Sequence, residues 1–164
     1  MSTDNDFVAR FGGIYEHSPW VAERVANDAA DADSLNMAEL AVLLAEVVDN
    51  ASEERQLALI RAHPDLAGKA QIAGELTADS TDEQASAGLD KCSADEYAQF
   101  QSLNDQYHEK FGFPFVMAVR QSSRAEILAA FAARLENDAG TEFETALQEI
   151  HKIARLRLEA MEAQ

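Results

Sequence analysis

The chain has 164 residues, of which 47% are hydrophobic, so it is long enough and apolar enough to bury a core of its own. Its 30 acidic and 13 basic side chains give a net charge of −17, which argues against nucleic-acid and membrane partners. The same charge repels anionic small molecules at long range, so an anionic substrate would need a local basic group.

The single cysteine, Cys92, excludes an internal disulfide and fits a reducing compartment. The polar N-terminus shows no signal peptide, and no apolar run is long enough to span a membrane. We therefore expect a cytoplasmic protein.

Helical periodicity runs through nearly the whole sequence, and no segment alternates as a strand does. This pattern predicts an all-α fold of roughly seven to eight helices in a single domain, residues 1–164. Ser18 and Pro19 are predicted to open a helix that ends near Ala29, before a linker at residues 31–34. Ser52 is predicted to cap a helix that stops at His63.

Capping boxes predict four further helix starts, because a serine or threonine followed three residues later by glutamate satisfies the first backbone amides. They are Ser80–Glu83, Ser93–Glu96, Ser123–Glu126 and Thr141–Glu144. Gly88 and Gly112 are predicted to end two of the helices, and residues 67–77 to form a loop. The apolar stretch Phe113–Val119 contains Pro114 and is predicted to be a buried, irregular connection whose amides need acceptors, a ligand among them.

His63 is the strongest candidate for acid–base chemistry. The proline at position 64 disfavours helical backbone at His63, which places a titratable side chain on a rigid corner. Glu83 is the second candidate, although it could instead serve only as the partner in a capping box. For His63 the alternative is a hydrogen-bonded histidine in a turn.

Three basic residues, Lys152, Arg155 and Arg157, make the last helix locally positive. They could simply interact with the helix C-terminus, or one of them could bind a substrate carboxylate. Arg157 lies between two leucines, so its stem is expected to lie against the core. The sequence has no metal-ligand spacing, nucleophile motif or nucleotide-binding loop, so no metal site and no cofactor are expected.

Several short motifs, taken in their order and spacing, resemble the decarboxylase family that acts on 2-oxo-4-hydroxy-4-carboxy-5-ureidoimidazoline (OHCU) in urate breakdown. They are Glu16-His17-Ser18-Pro19-Trp20, His63-Pro64-Asp65-Leu66, Ser80-x-x-Glu83-Gln84, Asn104-x-x-Tyr107, Lys110-Phe111-Gly112-Phe113-Pro114-Phe115 and Ile153-Ala154-Arg155-Leu156-Arg157-Leu158. The resemblance covers nearly the whole chain.

The resemblance implies a homodimer that decarboxylates OHCU, a small ureide, to (S)-allantoin without a cofactor. It makes His63 the catalytic proton donor. We take Glu83 as the second catalytic residue and expect it, with Gln84, to orient His63 and hold the ureido group. The implied substrate-binding residues are Pro64, Ser80, Thr81, Asp82, Glu83, Gln84, Phe115, Val116, Met117, Ala118, Val119 and Arg157, with Arg155 as the alternative to Arg157. Two other functions stay open at this point: a non-catalytic helical binding module, and a hydrolase of a related ureide.

Overall fold

The computed structural model describes residues 2–29, 34–68, 76–120 and 122–162, which contain eight α-helices and one short 3₁₀-helix. The helices are α1 (Ser2–Phe11), α2 (Trp20–Asp28), α3 (Met37–Asp49), α4 (Glu53–Arg61), α5 (Ala78–Ser86), α6 (Ala94–Phe111), α7 (Arg124–Arg134) and α8 (Ala139–Glu162), with the 3₁₀-helix at Leu89–Lys91. No strand occurs in these ranges, and the predicted all-α class is confirmed. None of the helices described is long and apolar enough to cross a membrane. Residues 31–33 of the predicted linker and residues 69–75 of the predicted loop lie outside the described residues.

Two of the four predicted capping boxes are confirmed. The hydroxyls of Ser93 and Ser123 accept the amides of Glu96 and Glu126, and each glutamate carboxylate accepts the amide of its serine in return. Gly112 ends α6 with a φ of 75°, as predicted. These boundaries follow from local sequence because every partner lies within one helical turn.

The other two predicted helix starts were wrong by a few residues. The N-cap of α5 is Thr77, whose hydroxyl accepts the amide of Ser80 at 3.2 Å. The Asp138 carboxylate likewise accepts the amide of Thr141 at 2.7 Å, and α8 begins at Ala139. Threonine and aspartate are themselves good caps, so each helix begins at the earlier residue. Ser80 is therefore in the first turn of α5, and Glu83 is not its capping partner.

The chain divides into two compact units, so the prediction of a single domain stays a prediction. The first unit comprises residues 1–62 and 150–164. Within it α1 packs on α2, and α2 packs on α3. The segment between α1 and α2 is buried at Tyr15, Glu16 and Ser18. The Ser18 hydroxyl donates to the Glu16 carbonyl at 2.9 Å rather than capping α2 as predicted.

The second unit comprises residues 63–149 and has an aromatic core around Tyr107. The Tyr107 ring is fully buried and makes edge or tilted contacts, with centroid distances of 4.5 to 5.9 Å, with Phe111, Phe113, Phe115 and Phe131. A buried phenol needs a hydrogen-bond partner. Its hydroxyl donates to Glu142 at 2.6 Å, which links this core to the start of α8.

We expect Gly88→Ala to lower the free energy of unfolding by about 1–2 kcal/mol, because an L side chain is disfavoured in the left-handed region. Gly88 has a φ of 77°, and an added Cβ would lie 2.8 Å from Nη1 of Arg124. Gly13→Ala is the matched control, because no atom lies within 4 Å of its added Cβ. Urea unfolding of the two variants measures the difference, and equal midpoints would contradict this account of Gly88.

Candidate active site

His63 lies in a non-helical loop that begins two residues after α4 ends. As predicted, α4 stops at Arg61 with Ala62 as its C-cap. His63 itself is only 8% exposed. Further along the loop, Ala67 has a φ of 51°, a conformation that residues other than glycine rarely adopt. A buried titratable side chain on a strained loop is typical of a functional site.

The side chain of Gln84, on α5, holds this loop at two points. Its oxygen accepts the amide of Ala67 at 3.0 Å, and its nitrogen donates to the carbonyl of Asp65 at 3.2 Å. The Asp65 carboxylate is in turn 2.7 Å from Nε2 of His108. Because Gln84 uses both ends of its amide on the loop, the position of His63 depends on α5.

Helix α6 holds the same loop with two more amide side chains. Gln101 donates to the carbonyl of Ala67 at 2.7 Å, and Asn104 donates to the carbonyl of Leu66 at 3.0 Å. The second bond fixes the orientation of the Asn104 amide, since its nitrogen must face the carbonyl. Its oxygen is buried and has no partner in the described part of the chain. Buried backbone groups require such partners, and here side chains supply them.

Helix α5 buries polar residues where a core-facing helix usually has apolar ones. Ser80, Glu83 and Gln84 lie at i, i+3 and i+4 and are 4%, 9% and 2% exposed. These are the positions of an inward helical face. Thr81 and Asp82, also predicted to bind substrate, are exposed. The inward face of α5 therefore presents a carboxyl, a hydroxyl and an amide, and Gln84 ties it to the His63 loop.

The segment predicted to be an irregular connection has no regular secondary structure at residues 114–119. Phe115, Val116 and Val119 are buried, while Met117 and Ala118 are partly exposed. The Phe115 ring stacks on Phe131 with the centroids 3.9 Å apart, so this side chain belongs to the core. Any contact of Phe115 with a ligand would then involve its backbone.

Hydrogen bonding within this segment differs from one amide to the next. The amide of Ala118 donates to the carboxylate of Glu149 at 3.2 Å. The amides of Met117 and Val119 have no acceptor among the residues that the structure describes. Backbone amides rarely lack a partner, so these two are suited to bind an oxygen of a ligand.

Arg157 is in the first unit, where its charge is balanced by a buried carboxylate. It is 4% exposed, and its guanidinium donates to Glu16 at 3.1 Å and to the carbonyls of Gly13 and Ile14 at 3.2 and 3.3 Å. Arg155 is exposed. The last turn of α8 contains no basic residue, so a role at the helix C-terminus does not explain Arg157.

Five polar residues that contact or support these loops were not assigned a role from the sequence: Gln101, Asn104, Arg134, Glu142 and Glu149. The hydrogen bonds from the first two span 34 and 38 residues of sequence, and no short motif encodes such distances. A polar residue within an otherwise apolar helical face is the sequence feature that could have indicated such a role. Asn104 has this feature, because it lies between the buried Phe100 and Tyr107 on the inward face of α6.

A helical fold with a buried histidine on a clamped loop and a buried polar helix face is typical of an enzyme that uses acid–base chemistry. The family model described as OHCU decarboxylase matches residues 1–159. The chain belongs to the OHCU decarboxylase family.

Individual relatives agree with this assignment. A 2-oxo-4-hydroxy-4-carboxy-5-ureidoimidazoline decarboxylase of Haloferax volcanii is 50% identical over 155 residues, which cover 94% of this chain and 88% of that protein. A crystal structure of (S)-allantoin synthase matches with a TM-score of 0.76 and 33% identity, over 96% of this chain and 50% of the other. A crystal structure of OHCU decarboxylase in the presence of (S)-allantoin matches with a TM-score of 0.69 and 25% identity, over 86% and 92% of the two chains.

We expect Gln84→Glu to destabilise the protein by about 1–3 kcal/mol, because a carboxylate would replace the donor to a partly buried carbonyl. The carbonyl of Asp65 would lose its bond, and an oxygen would face it instead. Gln106→Glu is the control, since Gln106 is exposed and its side-chain amide donates to Ser102 on its own helix. Urea unfolding without ligand measures both, and an equal effect of the two substitutions would contradict the role of Gln84.

Proposed function

We propose that the chain catalyses the decarboxylation of OHCU to (S)-allantoin and CO2 without a cofactor. One observation carries the proposal: Gln84 joins the buried loop of His63 to the helix face that buries Ser80 and Glu83. Titratable groups in that arrangement suit proton transfer to a small polar ligand. Membership of the OHCU decarboxylase family and the (S)-allantoin named for one similar structure support the choice of reaction.

The substrate supplies its own electron sink. Its carboxylate-bearing carbon also carries a hydroxyl and adjoins a ring C=N. When the bond to CO2 breaks, its electron pair moves into that C=N, much as a β-keto acid uses its carbonyl. The ring nitrogen of that C=N takes up a proton. The hydroxyl then loses its proton to become a carbonyl while the neighbouring carbon gains one, which gives allantoin with a net uptake of one proton. The protein must therefore provide orientation, charge stabilisation and one stereochemically controlled proton.

The His63 loop and helix α5 divide these tasks in our proposal. His63 delivers the proton to one face of the ring, with Glu83 orienting it and binding the ureido group together with Gln84. Pro64, Ser80 and the neighbouring Thr81 and Asp82 shape the same end of the site.

The remaining contacts of the substrate follow from the other segments. Backbone amides of the stretch Phe115, Val116, Met117, Ala118 and Val119 bind the ring carbonyl oxygens, with Met117 and Val119 as the best placed donors because the Ala118 amide already has an acceptor. Arg157 binds the carboxylate before it leaves as CO2. Its burial beside Glu16 supports it over the exposed Arg155.

We also propose a cytoplasmic homodimer whose partner is the small ureide substrate rather than nucleic acid or a membrane. The dimer rests on the family resemblance. The location is supported by the single cysteine, and the absence of nucleic-acid and membrane partners by the net charge of −17.

We expect His63→Asn to lower kcat about 10²–10⁴-fold, the usual effect of losing a general acid. His17→Asn is the control: this histidine is exposed, and its φ of 48° suits asparagine. The assay is the circular dichroism of (S)-allantoin formed from freshly generated substrate, with CO2 and ammonia measured in parallel. Turnover of His63→Asn close to that of His17→Asn would remove His63 from the mechanism. Release of ammonia in place of CO2 by the wild type would indicate a hydrolase.

We expect Arg157→Lys to lower kcat/KM by about tenfold or more, because an ammonium cannot reproduce the planar fork of a guanidinium. Arg155→Lys should stay within about twofold of wild type, as exposed substitutions usually do. Each rate is divided by the folded fraction, measured from the far-ultraviolet dichroism. If Arg155→Lys lowered kcat/KM more than Arg157→Lys, the carboxylate-binding role would belong to Arg155.

A further inference from the structure

The second unit contains an ion pair to which the proposed mechanism gives no role. Nε of Arg134, near the end of α7, is 2.8 Å from the carboxylate of Glu142, in the first turn of α8. The two side chains are 12% and 0% exposed. Tyr107 and Asn137 also donate to Glu142, at 2.6 and 2.9 Å. Both carboxylate oxygens of Glu142 are thus bonded inside the protein.

Burial and the hydrogen bond to Glu142 raise the pKa of Tyr107 well above its ordinary value. Its hydroxyl therefore keeps its proton at neutral pH and remains a donor to Glu142. Tyr107 and Asn137 thus hold the carboxylate in place beside Arg134.

Stability alone gives no sufficient reason for this pair. Removing two charges from water costs free energy that their attraction only partly returns, and apolar residues often replace such pairs without loss. A further effect of the pair lies at the other end of the guanidinium. Nη1 of Arg134 donates to the carbonyl of Val116 at 2.6 Å, and its Cζ lies 4.3 Å from the centre of the Phe115 ring. One side chain thus contacts two consecutive residues of the irregular segment.

Residues 114–119 have no helix or strand to fix their backbone. Their orientation is therefore set by bonds to side chains, with Arg134 at the Val116 carbonyl and Glu149 at the Ala118 amide. A guanidinium is planar, so the directions of its Nε and Nη1 donors are fixed relative to each other. Anchoring Nε on Glu142 consequently determines where the Val116 carbonyl lies.

From this geometry we infer that Arg134 is a positioning residue, which through the Val116 carbonyl aims the amides of Met117 and Val119 at the substrate. The inference rests on the proposed function, because it assumes that these amides bind a ring carbonyl oxygen. It adds a residue that touches no substrate atom and acts through the backbone. Glu142 and Tyr107 support Arg134 without contacting the segment through hydrogen bonds of their own.

Arg134→Lys tests the inference, because an ammonium can bond to Glu142 or to Val116 but cannot hold both in the same fixed geometry. We expect KM to rise about tenfold while kcat stays within about twofold of wild type. This pattern is expected when a substitution weakens binding of the substrate and of the transition state equally. A purely structural role would lower the amount of folded enzyme and leave KM unchanged. KM within twofold of wild type would overturn the inference.

The chain offers a matched control. Nε of Arg124 is 2.8 Å from Glu96, and its Nη1 donates to the carbonyl of Gly88 at 2.9 Å, so it makes the same pair of bonds elsewhere in the unit. Arg124→Lys should therefore cost stability without the rise in KM. An equal rise in both variants would show that the effect is a general loss of rigidity, and would also overturn the inference.

Hydrogen exchange gives a readout that does not need activity. Arg134→Lys should speed exchange of the amides at residues 115–119 relative to those of α1 and α2, whereas Arg124→Lys should not. If Arg134→Lys does not fold, Glu142→Gln is measured in the same way, because it removes the charge that anchors Arg134 and retains the shape. Unchanged exchange in the segment would overturn the inference. A wild type that forms no (S)-allantoin would instead contradict the proposed function, while exchange would still test the positioning.

Discussion

Buried backbone that is not helical needs hydrogen-bond partners that no helix supplies, and side chains provide many of them in both units. In the first unit, the carbonyls of Gly13 and Ile14 are bound by Arg157. In the second, side-chain amides bind the loop of His63, and Arg134 and Glu149 bind the segment at 114–119. An all-helical fold has no sheet ladder to supply these bonds, so helical side chains supply them. The residues that we propose to act on substrate lie largely on, or bonded to, these stretches.

Two largely buried arginines fulfil the requirement in the same way. Arg157 pairs with Glu16, and Arg134 pairs with Glu142, and in each case the guanidinium also binds a backbone carbonyl. Such buried pairs add little net stability, but their planar geometry fixes positions. The chain has only 13 basic residues and a net charge of −17, and two of those basic residues are arginines whose side chains are largely buried. Because a buried glutamate balances each charge, the contribution of these arginines is the direction of their donors rather than net charge.

Much of the fold was predictable because its determinants are local. The caps at Ser93 and Ser123 and the helix end at Gly112 depend on residues within one turn. The starts at Ser80 and Thr141 were wrong because Thr77 and Asp138 are competing caps three residues earlier, and the spacing rule does not rank two caps.

The candidate site was predictable only where the chain's own chemistry is unusual. A histidine before proline and a helix with glutamate and glutamine on its inward face can be seen in sequence. The hydrogen bonds that position these residues cannot be predicted from the sequence. The bond from Asn104 to the carbonyl of Leu66, for example, joins residues that are 38 positions apart. Arg134 and Val116 are 18 residues apart, and only folding brings them together.

Ala67 has a consequence for how the His63 loop responds to substitutions. Its φ of 51° is costly for alanine, yet both of its peptide polar groups are bound, the amide to Gln84 and the carbonyl to Gln101. The two bonds offset the strain jointly. The strained φ and the two bonds are therefore coupled at one residue. A substitution at Gln84 or at Gln101 is expected to disturb the same residue of the His63 loop, although the two side chains come from different helices.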